Sequence, residues 1–262
     1  MRRVGTKVAK GKLTYAYCLV SAKRRPSVAG LPAGLPGLRT PRILRAGSSL
    51  WLVVADAPLA RYGAEAIDRG LRNLSWLSKC AIAHEGVIER FMKADACIPM
   101  KLFTLFASDE RALASTHEKR RALGRILRQV KRRAEWGVRI LCDRPPSAAQ
   151  PRRQKAPRRV SGAAYLSRKR ELRQSAREFR AVARERAEEV FEILARQAHR
   201  AERLAPAEAQ ASGSSLLLDA AYLVRRSGES AFRTCVQATA RRLLPPGCRL
   251  TLSGPWPPYN FV

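Results

Sequence analysis

Between Asp143 and Arg159 the chain reads DRPPSAAQPRRQKAPRR, proline-rich and basic with no apolar periodicity. Proline has no amide hydrogen and pushes the residue before it out of the helical region, so neither a helix nor a central strand passes through such a stretch. It reads as a linker or exposed loop. A chain of 262 residues is long enough to carry a core on each side of it. The expected organisation is therefore two units, residues 1–145 and 146–262.

The first unit alternates strand-like and helix-like stretches. LTYAYCLV near the start is apolar and aromatic enough for a strand, and its tyrosines suit a strand better than the apolar part of a secretion leader. Residues 21–47 contain GLPAGLPGLRTP, whose repeated Gly and Pro predict a long loop. A strand follows over SSLWLVVADA, stopped by Pro58. From Ile67 to Met92 the residues Leu71, Leu74, Leu77, Ile82, Val87, Ile88 and Phe91 recur at helical or near-helical spacing, with one interruption allowed. ACIPMKLFTLF predicts a strand entered through Pro99, and Ser108 or Asp109 caps a helix running to Arg133. EWGVRILC supplies a fourth strand, giving the order β, loop, β, α, β, α, β.

In the second unit a helix is expected over about 163–204, where Leu172, Ala176, Phe179, Ala183, Ala187, Val190, Leu194, Ala198 and Ala201 recur every three or four positions. The stripe is narrow, which suits a hairpin or coiled-coil partner. SLLLDAAYLVRR, SAFRTCVQATARRLL and GCRLTLSG then read strand, helix, strand. The prolines at 255, 257 and 258 stop the last strand at about Ser253. Beyond it the tail is extended or polyproline-like, so that Trp256, Tyr259 and Phe261 lie on an apolar surface. That surface is either the protein's own core, which makes the tail a clasp, or a partner's, which makes it a docking segment.

The chain carries 51 Lys and Arg against 21 Asp and Glu, a formal charge of +30. Such a charge draws anionic partners, yet it is spread along the chain rather than gathered in one stripe. The most basic helical stretch, Glu118 to Arg133, reads as a solvated face or a phosphate-binding one, and it lacks the interleaved aromatics that stack bases. Six cysteines form no CxxC pair and mostly sit in apolar runs, as buried reduced thiols in a reducing compartment do; no zinc site is expected. No run of eighteen apolar residues predicts a membrane helix. His84-Glu85 and His117-Glu118 lack the second histidine of a zinc helix, and no GxGxxG, GxxxxGK[ST] or GxSxG is present. Neither catalysis nor a cofactor is expected.

The ending GPWPPYNFV resembles the closing motif of the gas vesicle GvpL/GvpF family. In order along nearly the whole chain, YAYCLV, HEGVIERFMKADACIPMKLFTLFASDE, EWGVRI, SGAAYLSRKRE and LLLDAAYLV are similar to the same family. The resemblance implies an α+β protein of two domains, a modified ferredoxin-like N-terminal domain and a smaller α+β C-terminal domain with a long coiled-coil-like helix. It implies a non-enzymatic accessory protein, a minor vesicle component in the cytoplasm that binds the hydrophobic shell protein GvpA, and other accessory proteins, and limits shell-protein aggregation during nucleation. The rival is a basic nucleic-acid-binding protein. Carried over onto this sequence, the motif positions that are candidates for partner binding are His84, Glu85, Pro99, Phe103, Tyr222, Gly254, Pro255, Trp256, Pro257, Pro258, Tyr259 and Phe261. Where the family usually has a Pro-x-Arg-Phe-Gly type stretch, this chain has Pro99-Met100-Lys101-Leu102-Phe103 and no glycine; the loop near Leu31 to Pro41 looks like an insertion particular to this chain.

Overall fold

The computed structural model describes residues 11–143, 162–205 and 214–262. The basic start and most of the proline-rich stretch after Asp143 lie outside the described residues. By its contacts the chain divides into two units, Met1–Ala134 with Trp256–Val262, and Glu135–Pro255.

In the first unit, strands β1 (Lys12–Ser21), β2 (Arg42–Arg45), β3 (Leu50–Pro58) and β4 (Ala96–Pro99) lie in the order β2-β3-β1-β4, and β5 (Leu105–Phe106) also pairs with β1. All these pairings are antiparallel, from Lys12↔Pro58 to Ser21↔Leu50 along β3, with one irregularity between Ala16 and Cys18. Residues Thr14 to Val20 are buried without a break, as in a strand covered on both faces. Strands β3 and β4 both run against β1, so they are parallel to each other with β1 inserted between them. The helices α1 (Leu59–Tyr62), α2 (Ala64–Leu71) and α3 (Leu74–Glu89) connect them. This is the split β-α-β arrangement of ferredoxin-like folds, and the mixed α/β class with antiparallel sheets is as the sequence implies.

Several local expectations change. The loop 21–47 contains a strand, β2, only four residues long between Pro41 and Gly47, which pairs with β3 from Arg42↔Val54 to Arg45↔Trp51. The break within 67–92 falls at Arg72-Asn73, where the Asn73 side chain accepts from the Trp76 amide and starts α3 as an N-cap. The strand expected over 96–106 is two short strands separated by the Met100–Thr104 loop. Ser108 caps α4 (Asp109–Glu118), and a break at Lys119 separates it from α5 (Arg120–Val130). Strand β6 (Arg133–Cys142) joins the second sheet, so residues from Glu135 onward count with the second unit.

That unit adds α6 (Gly162–Gln197), β7 (Arg200–Arg203), β8 (Ser215–Arg225), α7 (Glu229–Leu243) and β9 (Cys248–Trp256), with the sheet ordered β7-β8-β6-β9. The expected helix over 163–204 ends at Gln197, because Arg200 to Arg203 hydrogen-bond along β8, from Arg200↔Leu223 to Arg203↔Ala220. Small residues Ala183 and Ala187 let the second half of α6 pack closely, so that its Val190 and Leu194 join a core with Tyr222, Phe232 and Val236. Strand β9 continues past Ser253 through Pro255 to Trp256; at a sheet edge the missing proline amide breaks no ladder bond.

The expectation that the cysteines are mostly buried reduced thiols of a reducing compartment is corrected at one pair. Cys142 and Cys248 form a disulfide between the neighbouring strands β6 and β9, while Cys18, Cys80 and Cys97 are buried free thiols and Cys235 is a half-buried one. Residues 106 apart in sequence give no local signal of such a pair.

Candidate functional site

The motif residues of the first unit gather around one helix. Alternation along β1 turns Tyr15 and Tyr17 to the same face, with ring centroids 4.8 Å apart, and α3 lays His84 against both. His84 Nε2 lies 3.0 Å from the Met100 carbonyl, which only accepts, so Nε2 carries the proton and donates. Nδ1 is then the acceptor for the Tyr15 hydroxyl at 2.7 Å, and that oxygen accepts from the Phe103 amide at 3.4 Å. The relay runs from Phe103 through Tyr15 and His84 to Met100, and it fixes both ends of the Met100–Thr104 loop. Burial holds the His84 pKa below its ordinary value and raises that of Tyr15; Tyr17, whose hydroxyl accepts from the Leu35 amide, is pushed up to about 12, chiefly by burial. Gly34 sits at φ +58, where a Cβ would overlap the Tyr17 hydroxyl, so this turn requires glycine.

Phe103, where the resemblance in sequence leads to the expectation of a glycine, has φ +64. A left-handed backbone is here adopted by a residue for which it is strained. The ring stacks on Trp76 at 5.3 Å with 9° between the planes, which offsets the strain.

One residue along α3, Glu85 points to the tail. Its Oε2 accepts from the Tyr259 hydroxyl at 2.6 Å, while Oε1 is buried without a hydrogen-bond partner among the described residues. Burial raises the Glu85 pKa, the Tyr259 hydrogen bond opposes that shift, and Glu89 adds to it. Pro257, Pro258 and Phe261 are buried, the Phe261 carbonyl accepts from Gln129 Nε2 of α5 at 3.3 Å, and Trp256 is 39% exposed. The tail from Pro257 onward is therefore a clasp on the first unit's own core, and Trp256 stands outside it.

Clasp, loop and helices border an open groove of about 330 Å³, lined by Ile98, Pro99, Phe106, Leu123, Ile126 and Tyr259, with Lys101, Lys119 and Val262 also on its wall. Its α4 wall is pinned through Arg42 of β2, which donates to Asp109 at 2.7 Å and to Asp56 at 2.6 Å; Thr14 adds a bond to Asp109 at 2.7 Å. The Arg42 hydrogen bonds hold both carboxyls below the usual range.

The remaining candidates lie in the second unit. Tyr222 is buried on β8 between the rings of Phe191 and Phe232. Gly254 has φ +121 with its α-carbon so close to β6 that a Cβ would sit 2.8 Å from the Glu135 carbonyl, and Pro255 follows through a cis bond. The residues that sequence reasoning missed are Tyr15 and Tyr17, whose spacing of two already placed them on one face, and Arg42, Asp56 and Asp109, which nothing local connects. His84 has both ring nitrogens engaged, by the Tyr15 hydroxyl and the Met100 carbonyl; His117 is exposed in the last turn of α4.

Residues 13–262 match the family described as Gas vesicle synthesis protein GvpL/GvpF. The chain is 30% identical over 261 residues to Gas vesicle protein L of Streptomyces sp. (strain CB03234), covering 96% of this chain and 93% of that protein. In fold it is similar to the crystal structure of the gas vesicle protein GvpF from Anabaena sp. PCC7120, with a TM-score of 0.65, 17% identity and 96% of each chain covered. It is also similar to GvpF from Microcystis aeruginosa, with a TM-score of 0.63, 14% identity and coverage of 95% of this chain and 98% of that one. Among the described residues no helix is long and apolar enough to cross a membrane. From the buried strand that opens the first unit to the aromatic clasp on its core, the match runs through the very residues that build the site: the chain belongs to the GvpL/GvpF family of gas vesicle synthesis proteins.

Proposed function

We propose that this gas vesicle accessory protein binds the small hydrophobic shell protein GvpA and limits its aggregation while vesicles nucleate, and that the first unit's groove is the surface it uses. The observation that carries the reading is an open, largely apolar groove, walled by the clasp and the Met100–Thr104 loop, in a chain of +30 formal charge that belongs to a gas vesicle family. A protein that polymerises through apolar surface needs that surface covered until assembly, and an apolar groove on a strongly charged body covers it without itself aggregating. The relay through His84 sets the loop and the Glu85–Tyr259 bond sets the clasp, so His84 and Glu85 shape the groove rather than touch the partner. Trp256, and Val262 on the groove wall, are exposed tail residues available for direct contact.

The test is a tagged pull-down from nuclease-treated cells that express the vesicle genes, comparing the natural chain with Ile126→Glu. Ile126 is half-buried on the groove wall, and circular dichroism checks that the variant folds. Recovery of GvpA that drops with the variant supports the reading. Recovery of nucleic-acid-associated proteins alone, or equal recovery of GvpA by a folded variant, overturns the reading or moves the contact off the groove.

A further inference from the structure

The first half of α6 has an uncovered apolar stripe. Residues 165 to 175 are exposed without exception, among them Tyr165 at 61% and Leu172 at 40%, and burial sets in only from Ala176 and Phe179 to Ala183. At 100° per residue, Tyr165, Leu172, Ala176 and Phe179 fall within a strip about 60° wide, the width of a coiled-coil seam. The charges beside it are unequal. Lys169, Arg173, Arg177 and Arg180 run along one flank, while the other carries Glu171 and Glu178 with Arg168 between them and the seam, so both sides of the stripe present cations. The two carboxylates are already engaged within the helix, accepting from Ser167 and Gln174. The three arginines of the first flank have no ion pair among the described residues.

We infer that this half of α6 is a docking surface for an amphipathic helix on a partner protein, one with an apolar stripe and an acidic flank. The stripe supplies the seam, and the unpaired guanidinium row selects the charge and orients the incoming helix. A second copy of this chain fits less well: an antiparallel pair sets guanidinium against guanidinium, and a parallel pair offers the four cations two engaged carboxylates and a further guanidinium, Arg168.

The full-length protein is titrated, with anisotropy as the readout, against a labelled helical peptide of three to four heptads with Leu at the seam and Glu on the flanks. The same peptide with Lys flanks and a polyglutamate of equal charge are the controls. The expected result is binding of the acidic helix alone, weakened about tenfold or more by Leu172→Glu and weakened by salt. Leu74→Glu, at a 76% exposed leucine of the first unit, leaves binding unchanged. Because Leu172 is exposed, its replacement leaves the fold intact, which circular dichroism confirms. Equal binding of polyglutamate, indifference to Leu172→Glu, preferred binding to vesicles of anionic lipid, or a dimer of the chain that Leu172→Glu dissociates each overturns the proposal.

Discussion

His84 is neutral in the folded protein, with its proton on Nε2 and its lone pair on Nδ1 already committed. An unfolded chain takes up a second proton near the ordinary value of 6.5, whereas the buried ring takes it up only at lower pH. Below 6.5 the unfolded state therefore binds more protons, and stability falls with pH until the folded value is passed. Urea titrations between pH 7.5 and 5.5 should show this loss, and His84→Gln, whose amide can reproduce both bonds, should show less of it. Glu85 works in the opposite sense, since its raised value means that acidification toward 4.5 relieves a cost; the difference between the two proteins cancels that contribution. Phe103 offers a second test. At φ +64 alanine keeps the strain and loses the Trp76 stack, whereas glycine loses only the stack. Phe103→Gly should thus be more stable than Phe103→Ala by about 1 kcal/mol, the reverse of the usual order, as chemical denaturation would show.

Among the elements, β2 and α4 are held by one guanidinium between two carboxylates. Arg42→Met leaves Asp56 and Asp109 facing each other and should cost about 1–2 kcal/mol at pH 7, a modest value because the cluster is partly exposed. Both carboxyls titrate below 3.8 in the folded protein, so the stability they contribute is present above that value and is lost as pH falls through their folded values; the Arg42→Met deficit should shrink over the same range. The tail separates in the same way by burial. Phe261→Ala should cost about 3 kcal/mol as a core truncation, whereas Trp256→Ala should leave thermal unfolding nearly unchanged and act, if at all, on partner recovery. Much of this was legible in the chain, because buried strands such as β1 and the helices on either side of Asn73 announce themselves by runs and periods. The four residues of β2 were not, since an edge strand of that length has no pattern of its own and exists only by pairing with β3. The end of α6 was missed for a related reason: Arg200 to Arg203 satisfy a helical continuation as well as a strand, and only β8 decides between them. At the site, the paired tyrosines could be read from alternation, but the Arg42 cluster joins residues 14, 42, 56 and 109, which only the fold brings together.

For the molecule as a whole, covalent and noncovalent closure are divided between the units. The Cys142–Cys248 disulfide ties β6 to β9 within the second unit, so Cys248→Ser should destabilise that unit by about 2–4 kcal/mol and leave the first unaltered, with hydrogen exchange in β8 and in β1 as the paired readout. In the first unit the corresponding closure is the clasp, and it is made by residues that follow the whole second unit in sequence. At 5–20 residues per second a ribosome spends on the order of ten seconds on the roughly 120 residues between Ala134 and Trp256. Throughout that interval the surface that will receive Tyr259 and Phe261 stands bare beside Glu85, open to any apolar segment that arrives before the protein's own.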